Sequence, residues 1–154
     1  MSMEKYIIKQ AGIEDLEKLA ELFNLYRIFY EQQSDITKAN QFLFERIERK
    51  ESIIFIVKDS GKSEFIGFTQ LYPSFSSISM QRSWILNDLY VKTEHRGNGV
   101  AKLLLEKANS YALETVSKGL SLSTSIDNVR AQKIYEDFGF IRDEEFFHYF
   151  KEIK

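Results

Sequence analysis

Three segments of this chain carry residue types whose spacing suits chemistry. The first is Arg96-Gly-Asn-Gly-Val-Ala101, with Lys102 next. Gly97 and Gly99 allow backbone conformations, and a closeness of ligand approach, that a Cβ would block. A helix starting after them would offer unpaired N–H groups and the positive end of its dipole, which together can cradle a phosphate. A P-loop would require Gly-Lys-Ser/Thr, and a dinucleotide fingerprint would require Gly or Ala where Lys102 stands. A tight strand-to-helix turn without a ligand explains the hexapeptide equally well. The second segment runs from Asn128 to Tyr135 and is followed by Gly139-Phe140. Asn128 stands where a helix N-cap belongs. Tyr135 shares an apolar stripe with Ala131 and Phe138, and periodicity alone reads it as a core residue. The third is the pair Asn87-Asp88 inside the apolar run Trp84 to Val91. Buried without partners, each would cost about 1–3 kcal/mol, so either structural hydrogen bonds or an acceptor site must account for them.

The elements that position these residues can be read from hydrophobic period and turn chemistry. Tyr6 to Lys9 reads as a short strand. Leu16, Leu19, Ala20, Phe23, Tyr26 and Tyr30 recur at helical spacing after Gly12, with Glu14, Asp15 and Glu17 suiting a helix N-terminus. Phe42 to Arg49 reads as a second helix. Strands are predicted for Ile53 to Val57, Phe65 to Tyr72 and Trp84 to Val91, with Tyr72 to Ser79 a loop. A helix should follow Gly99, bearing Leu103, Leu104, Ala108 and Tyr111 on one face. A strand at Leu120 to Thr124, a helix around Ala131 to Phe138 and a last strand at Phe146 to Phe150 complete the chain. The order β-α-α-β-β-β-α-β-α-β specifies an α/β fold. Its central sheet is mixed and mostly antiparallel, with one parallel crossover near the end.

Composition narrows the function classes. The 154 residues suit a single domain, 1–154, with no repeat and no linker. Lys and Arg total 21 against 23 Asp and Glu, net −2, which argues against a nucleic-acid partner. No cysteine is present, so disulfides, thiolate metal sites and cysteine nucleophiles are excluded. His95 and His148 are too few for a histidine metal cage, and no metal is expected. No membrane span or signal segment is recognisable, so a soluble, cytoplasmic protein is the expectation. Met1-Ser2, ahead of Met3, reads as an added leader.

Together the motifs are more specific than either alone. Arg-Gly-x-Gly-x-Ala after a strand ending Leu-Tyr-Val, then Asn-x-x-Ala-x-x-x-Tyr-x-x-x-Gly-Phe starting 27 residues past Ala101, resembles the Gcn5-related N-acetyltransferases (GNAT). The resemblance spans roughly residues 5 to 151. The stretch Gly67 to Ala101 is most similar to the small-amine branch, which includes the diamine (spermidine/spermine) acetyltransferases. That branch often has Glu where Asn87 stands, and the carboxylate serves to deprotonate the amine.

The resemblance implies the GNAT fold, with helices on both faces of the sheet and the parallel pair splayed by a bulge. It implies acetyl-CoA as co-substrate, its pyrophosphate on the backbone of Gly97, Asn98, Gly99, Val100, Ala101 and Lys102, with Arg96 nearby. Leu89, Tyr90 and Val91 would hold the pantetheine arm, and Asn128 would complete the cofactor set. Asp88, helped by Asn87, would take the amine proton, and the phenol of Tyr135 would serve the leaving thiolate. Tyr30, Glu31, Tyr72 and Phe75, with Tyr26, could line an aromatic, acidic mouth for a cationic amine, although aromatics at helical spacing are also ordinary core. The implied activity is acetyl transfer to a small primary amine by direct attack in a ternary complex. Acetylation of a protein lysine or N-terminus, or a catalytically idle acyl-CoA-binding module, are the alternatives. A homodimer is expected from the family's habit and from 13 Phe and 8 Tyr in a small chain.

Overall fold

A computed structural model describes residues 5–154, so Met1-Ser2, expected above to be an added leader, lies outside the described residues. The chain divides into two compact units, residues 1–123 and residues 124–154. In the first unit, strands β1 (Tyr6–Gln10), β2 (Ile53–Asp59), β3 (Phe65–Ser76), β4 (Gln81–Val91) and β5 (Ser117–Ser121) lie side by side in chain order. Neighbours from β1 to β4 run antiparallel, and β5 joins β4 in parallel. Helices α1 (Leu16–Phe29) and α2 (Ile36–Glu48) follow β1, and α3 (Val100–Glu114) connects β4 to β5. This is the mixed, mostly antiparallel α/β sheet that the sequence predicts.

Strand alternation divides the core between the two faces. Ile54, Ile56 and Phe68 turn one way, into a cluster with Leu19, Phe23, Ala39 and Leu43 of α1 and α2. Phe55 turns the other way, its ring 5.5 Å from that of Tyr111 on α3. Trp84 joins it there, 5.3 Å from Tyr111, and its Nε1 donates to Thr115 Oγ1 at 2.9 Å. The α3 helix lies close over Gly67, where a Cβ would sit 2.9 Å from the Tyr90 carbonyl oxygen and 3.3 Å from Val100 Cγ1.

Besides a register shift between β2 and β3 beyond Val57, the alternation breaks in β4 where it meets β3. Leu71 pairs with Leu86 but Gln70 pairs with Asp88, which leaves Asn87 as an extra residue. Trp84 therefore faces α3 while Asp88 and Tyr90 face α1, although all three have the same parity in sequence. On its other edge β4 pairs with β5 only from Arg82 to Ile85. Among the described residues, Leu86 to Val91 has no strand on that side.

Four expectations require correction. The Tyr72 to Ser79 loop is largely hairpin, since β3 continues through Ser76 and only the turn to Gln81 is irregular. Pro73 fits because pairing of β3 with β2 has already ended at Leu71, so its missing N–H faces no partner strand there. The second helix begins at Ile36 rather than Phe42, nucleated by Asp35, whose side chain accepts from Lys38 N at 3.0 Å. The strand expected at Leu120 to Thr124 is displaced to Ser117–Ser121.

The fourth correction falls in the second unit. There α4 (Val129–Phe138) is capped by Asn128, which accepts from Ala131 N at 3.1 Å, and ends at Gly139 with φ 118°. The strand expected at Phe146 to Phe150 is absent; that segment has no regular structure. Its apolar residues fall on both parities, so alternation selects no face, and Phe146, Phe147, Tyr149 and Phe150 are 71–92% exposed. Locally Asp143 accepts from the N–H groups of Glu145 and Phe146, which bends the chain into a turn.

The close approach at Gly67 can be tested against an open glycine. Gly67→Val should lower stability to denaturant by about 1–3 kcal/mol, the usual cost of overpacking, because the clash includes backbone. Gly119→Ala, with nothing within 4 Å of the new Cβ, should show little loss in the same assay.

Candidate active site

Asp88 lies at the centre of the polar cluster on the α1 face, only 6% exposed. Its Oδ1 accepts from Tyr26 Oη at 2.7 Å and from Asn87 Nδ2 at 3.1 Å, and its Oδ2 accepts from Gln70 Nε2 at 2.7 Å. Thr69 Oγ1 donates to the Asp88 main-chain oxygen at 2.8 Å. Burial pushes the Asp88 carboxyl above the ordinary carboxylate range, and the three side-chain donors pull it back. Asn87 itself is exposed, as the extra residue of a bulge should be. Beside them, burial and the Asp88 charge push the Tyr72 phenol up to about 12.

The wall of this cluster is aromatic. The Tyr26 ring lies 5.2 Å from Tyr30, 5.4 Å from Phe68 and 6.0 Å from Tyr90. Tyr30 and Glu31 are exposed at the end of α1, where Glu31 adopts φ 63°. Phe75 is displaced from that wall. It is 70% exposed far along the hairpin, and the Arg82 guanidinium lies over its ring at 5.2 Å.

The glycine turn follows directly. Gly97 and Gly99 adopt φ of 82° and 79°, so both positions require glycine for the backbone alone. A Cβ on either would meet nothing within 4 Å, so the space above the turn is open. Val100, Ala101 and Lys102 form the first turn of α3, and no side chain caps it. Arg96 turns back toward the sheet, its Nε donating to Val91 O at 3.0 Å and its guanidinium lying over the rings of Phe29 (4.7 Å) and Tyr90 (5.7 Å). The turn presents uncapped N–H groups to open space, and its arginine is braced against Tyr90.

In the second unit Tyr135 is half-buried on α4, 5.8 Å from the ring of Phe140. His95 stands edge-on to Tyr6 at 6.3 Å, and exposed His148 pairs with Asp143. Glu64, Glu94 and His95 come within 4.8 Å of one another, but Lys92 already holds Glu64 at 2.9 Å.

The acetyltransferase (GNAT) family profile matches residues 16–140. This chain belongs to the GNAT family. It is therefore an N-acetyltransferase that uses acetyl-CoA. The uncharacterized N-acetyltransferase YhfO of Bacillus subtilis is 47% identical over 142 residues, covering 92% of this chain and 94% of that protein. The crystal structure of a probable acetyltransferase, 46% identical, superposes with a TM-score of 0.92 over 96% of this chain and 98% of that one. The fold also matches the aminoglycoside N-acetyltransferase AAC(6')-Iy solved with CoA, at 20% identity, TM-score 0.80 and 99% coverage of both chains.

One residue of this candidate site in the GNAT chain escapes sequence reasoning. Gln70 is fully buried and supplies a 2.7 Å donor to Asp88, while its own Oε1 is buried without a partner. The signal was available: a glutamine within the apolar run Phe65 to Leu71 must find a partner. The carboxylate and the orphaned oxygen together yield a stability prediction. Because folding raises the Asp88 pKa, its contribution is largest at low pH and declines as pH rises through and above the ordinary 3.8. In Asp88→Asn the new amide can donate to Gln70 Oε1 once the Gln70 amide turns over. Stability at neutral pH should hold or rise by roughly 0.5–2 kcal/mol while acetyl transfer falls. A clear loss of stability in urea denaturation would contradict this account of the site.

Proposed function

We propose that this acetyltransferase carries the acetyl group of acetyl-CoA to a small primary amine by direct attack in a ternary complex. Residues 1–154 would then act as one catalytic domain. The observation that carries the reading is the Asp88 carboxylate, buried among aromatic rings on the strand that leads into the glycine turn. An ammonium is drawn to such a carboxylate and to ring faces, and Tyr30, Glu31 and Tyr72 extend the same character outward. Phe75, engaged by Arg82, contributes least.

The open cradle of Gly97 and Gly99 supports a pyrophosphate on the N–H groups of residues 97–102, with Arg96 beside it. Leu89, Tyr90 and Val91, on the stretch of β4 that β5 does not pair, suit a strand-like pantetheine, and Asn128 completes the family set. When bound, acetyl-CoA supplies an activated acyl carbon and a sulfur leaving group.

The chain's residues then handle protons. An ammonium with a pKa near ~10.4 must lose one before it can attack, and Asp88 takes it, with Asn87 orienting the nitrogen or a relay. The nitrogen bonds to the acyl carbon as the carbon–sulfur bond breaks. An N–H of β4 near Val91 steadies the carbonyl oxygen. Tyr135 gives the sulfur a proton, which the second amine proton restores. The Tyr135 assignment rests on the family motif from Asn128 to Phe140.

Tyr135→Phe should lower kcat by roughly 10²–10⁴-fold with acetyl-CoA affinity nearly unchanged, because the lost interaction grows only in the transition state. Wild-type turnover across pH 6–9 would remove Tyr135 from the mechanism. Gly99→Val should weaken CoA binding strongly in calorimetry, since the substitution both strains φ 79° and fills the cradle. CoA release measured over a panel of small amines and a lysine peptide tests the acceptor, and a preference for the peptide would replace the small-amine reading. A homodimer is also proposed, supported by exposed aromatics such as Phe29, and a monomer of ~18 kDa in sedimentation at micromolar concentration would reject it.

A further inference from the structure

We propose that Tyr26 and Gln70 are positioning residues that lock the Asp88 carboxylate in one orientation and in its ionised form, ready to take the amine proton. The inference rests on the reading of Asp88 as proton acceptor. Its starting point is that the two carboxylate oxygens have different keepers, each at 2.7 Å: Tyr26 Oη on Oδ1 and Gln70 Nε2 on Oδ2. Two short bonds at opposite corners fix the carboxylate plane, which a single donor would leave free to rotate. Asn87 adds a longer third bond to Oδ1.

The chemistry of the donors favours the ionised form against the effect of burial. Two of the three are amide N–H groups, and as oriented neither has an oxygen to receive a carboxyl proton. Gln70 makes the point most clearly. Its Oε1 is buried without a partner, so the amide keeps its N–H on Asp88 while leaving an acceptor unpaired. Turning the amide over would set a carbonyl dipole against the carboxylate, and only a neutral carboxyl would tolerate that.

Tyr26 is held as firmly as the group it holds. Its ring packs at 5.4 to 6.0 Å from Phe23, Phe68 and Tyr90, so the hydroxyl arrives from α1 with little freedom. The bond joins residues 62 positions apart and ties α1, which leads into Tyr30 and Glu31, to β4. The groups acting on Asp88 are Tyr26 from α1, Gln70 and Tyr72 from β3, and Asn87 on its own strand, with Arg46 of α2 acting on Tyr72. Burial raises the Asp88 pKa and the donors lower it, so removing a donor weakens the acid further.

The test compares pH profiles of kcat/KM for the best amine in wild type, Tyr26→Phe, Gln70→Leu and Asp88→Asn, together with an NMR titration of the Asp88 carboxyl carbon. Tyr26→Phe should lower the Asp88 acid dissociation constant roughly tenfold, the scale of one hydrogen bond to a charged group. The acid limb should then move to higher pH, and the titration of the Asp88 carboxyl carbon should move with it. Gln70→Leu should move both readouts in the same direction and keeps the test intact if Tyr26→Phe fails to fold. A merely structural role would depress the plateau at every pH and leave the limb in place. If Asp88→Asn is inactive but neither variant moves the limb or the titration, the positioning role is wrong and Asp88 remains the acceptor. If Asp88→Asn keeps the wild-type rate and limb, the acceptor reading falls and this proposal falls with it.

Discussion

A β-sheet sends alternate side chains to opposite faces, and β4 interrupts that alternation at Asn87. Most of the site depends on the interruption. N-terminal to it, Trp84 packs beside Tyr111 of α3 and helps to close one core. C-terminal to it, Asp88 and Tyr90 turn to α1 and meet Tyr26. A regular strand would have turned the carboxylate to the face that carries Trp84, away from Tyr26. The bulge also places Asn87 in solvent, so two adjacent polar residues meet opposite environments.

What the bulge delivers is energetically awkward. Burying a carboxylate costs several kcal/mol even after relaxation, and a hydrogen bond to a charged group returns about 1.5–3 kcal/mol. Three side-chain donors are therefore of the size needed to hold Asp88 ionised, but with little surplus. The unpaired Gln70 oxygen shows where the surplus goes: the network satisfies the carboxylate first and leaves one of its own members short. A purely structural network would be expected to satisfy every member, since a half-satisfied one is worse than apolar packing. Here the Gln70 oxygen is left unpaired, which fits the proposed use of Asp88 as a proton acceptor.

Much of this was legible in the sequence, though unevenly. The glycine turn and the Asn128 cap are local signals, set by φ and by one side chain reaching a neighbouring N–H, and both appear where the spacing predicts. The strands of the central hairpins announce themselves through apolar runs. The Asp35 cap was equally local and was missed, because the polar first turn of α2 hid the helix until Phe42. The Asn87–Asp88 pair stood out as polar residues in an apolar strand, but their separation into one exposed and one buried side chain could not be read without the register of β3. Gln70 depends on the same register, and so does its bond to Asp88. The Phe146 to Phe150 segment shows the converse: β-prone residues form no strand where nothing pairs with their backbone.

Two glycine uses and one arginine show how the Asp88 cluster and the glycine turn are joined. Gly67 is small because α3 and the Tyr90 carbonyl press on it, whereas Gly97 and Gly99 are glycine because their φ is positive and the space above them is open. The first holds α3 close against the sheet, and that contact fixes the level at which the helix begins. The other two then aim its first turn outward. Between these regions Arg96 bonds back to Val91 and stacks on Tyr90 and Phe29, while Tyr90 in turn meets Tyr26, the residue that holds Asp88. The chain of contacts from turn to carboxylate runs from Arg96 in the turn through packed rings and short hydrogen bonds to residues of α1 and β4. Such a site can hold its reactive groups near one geometry before any substrate arrives, which is the condition under which fixed donors and a buried acid contribute to rate.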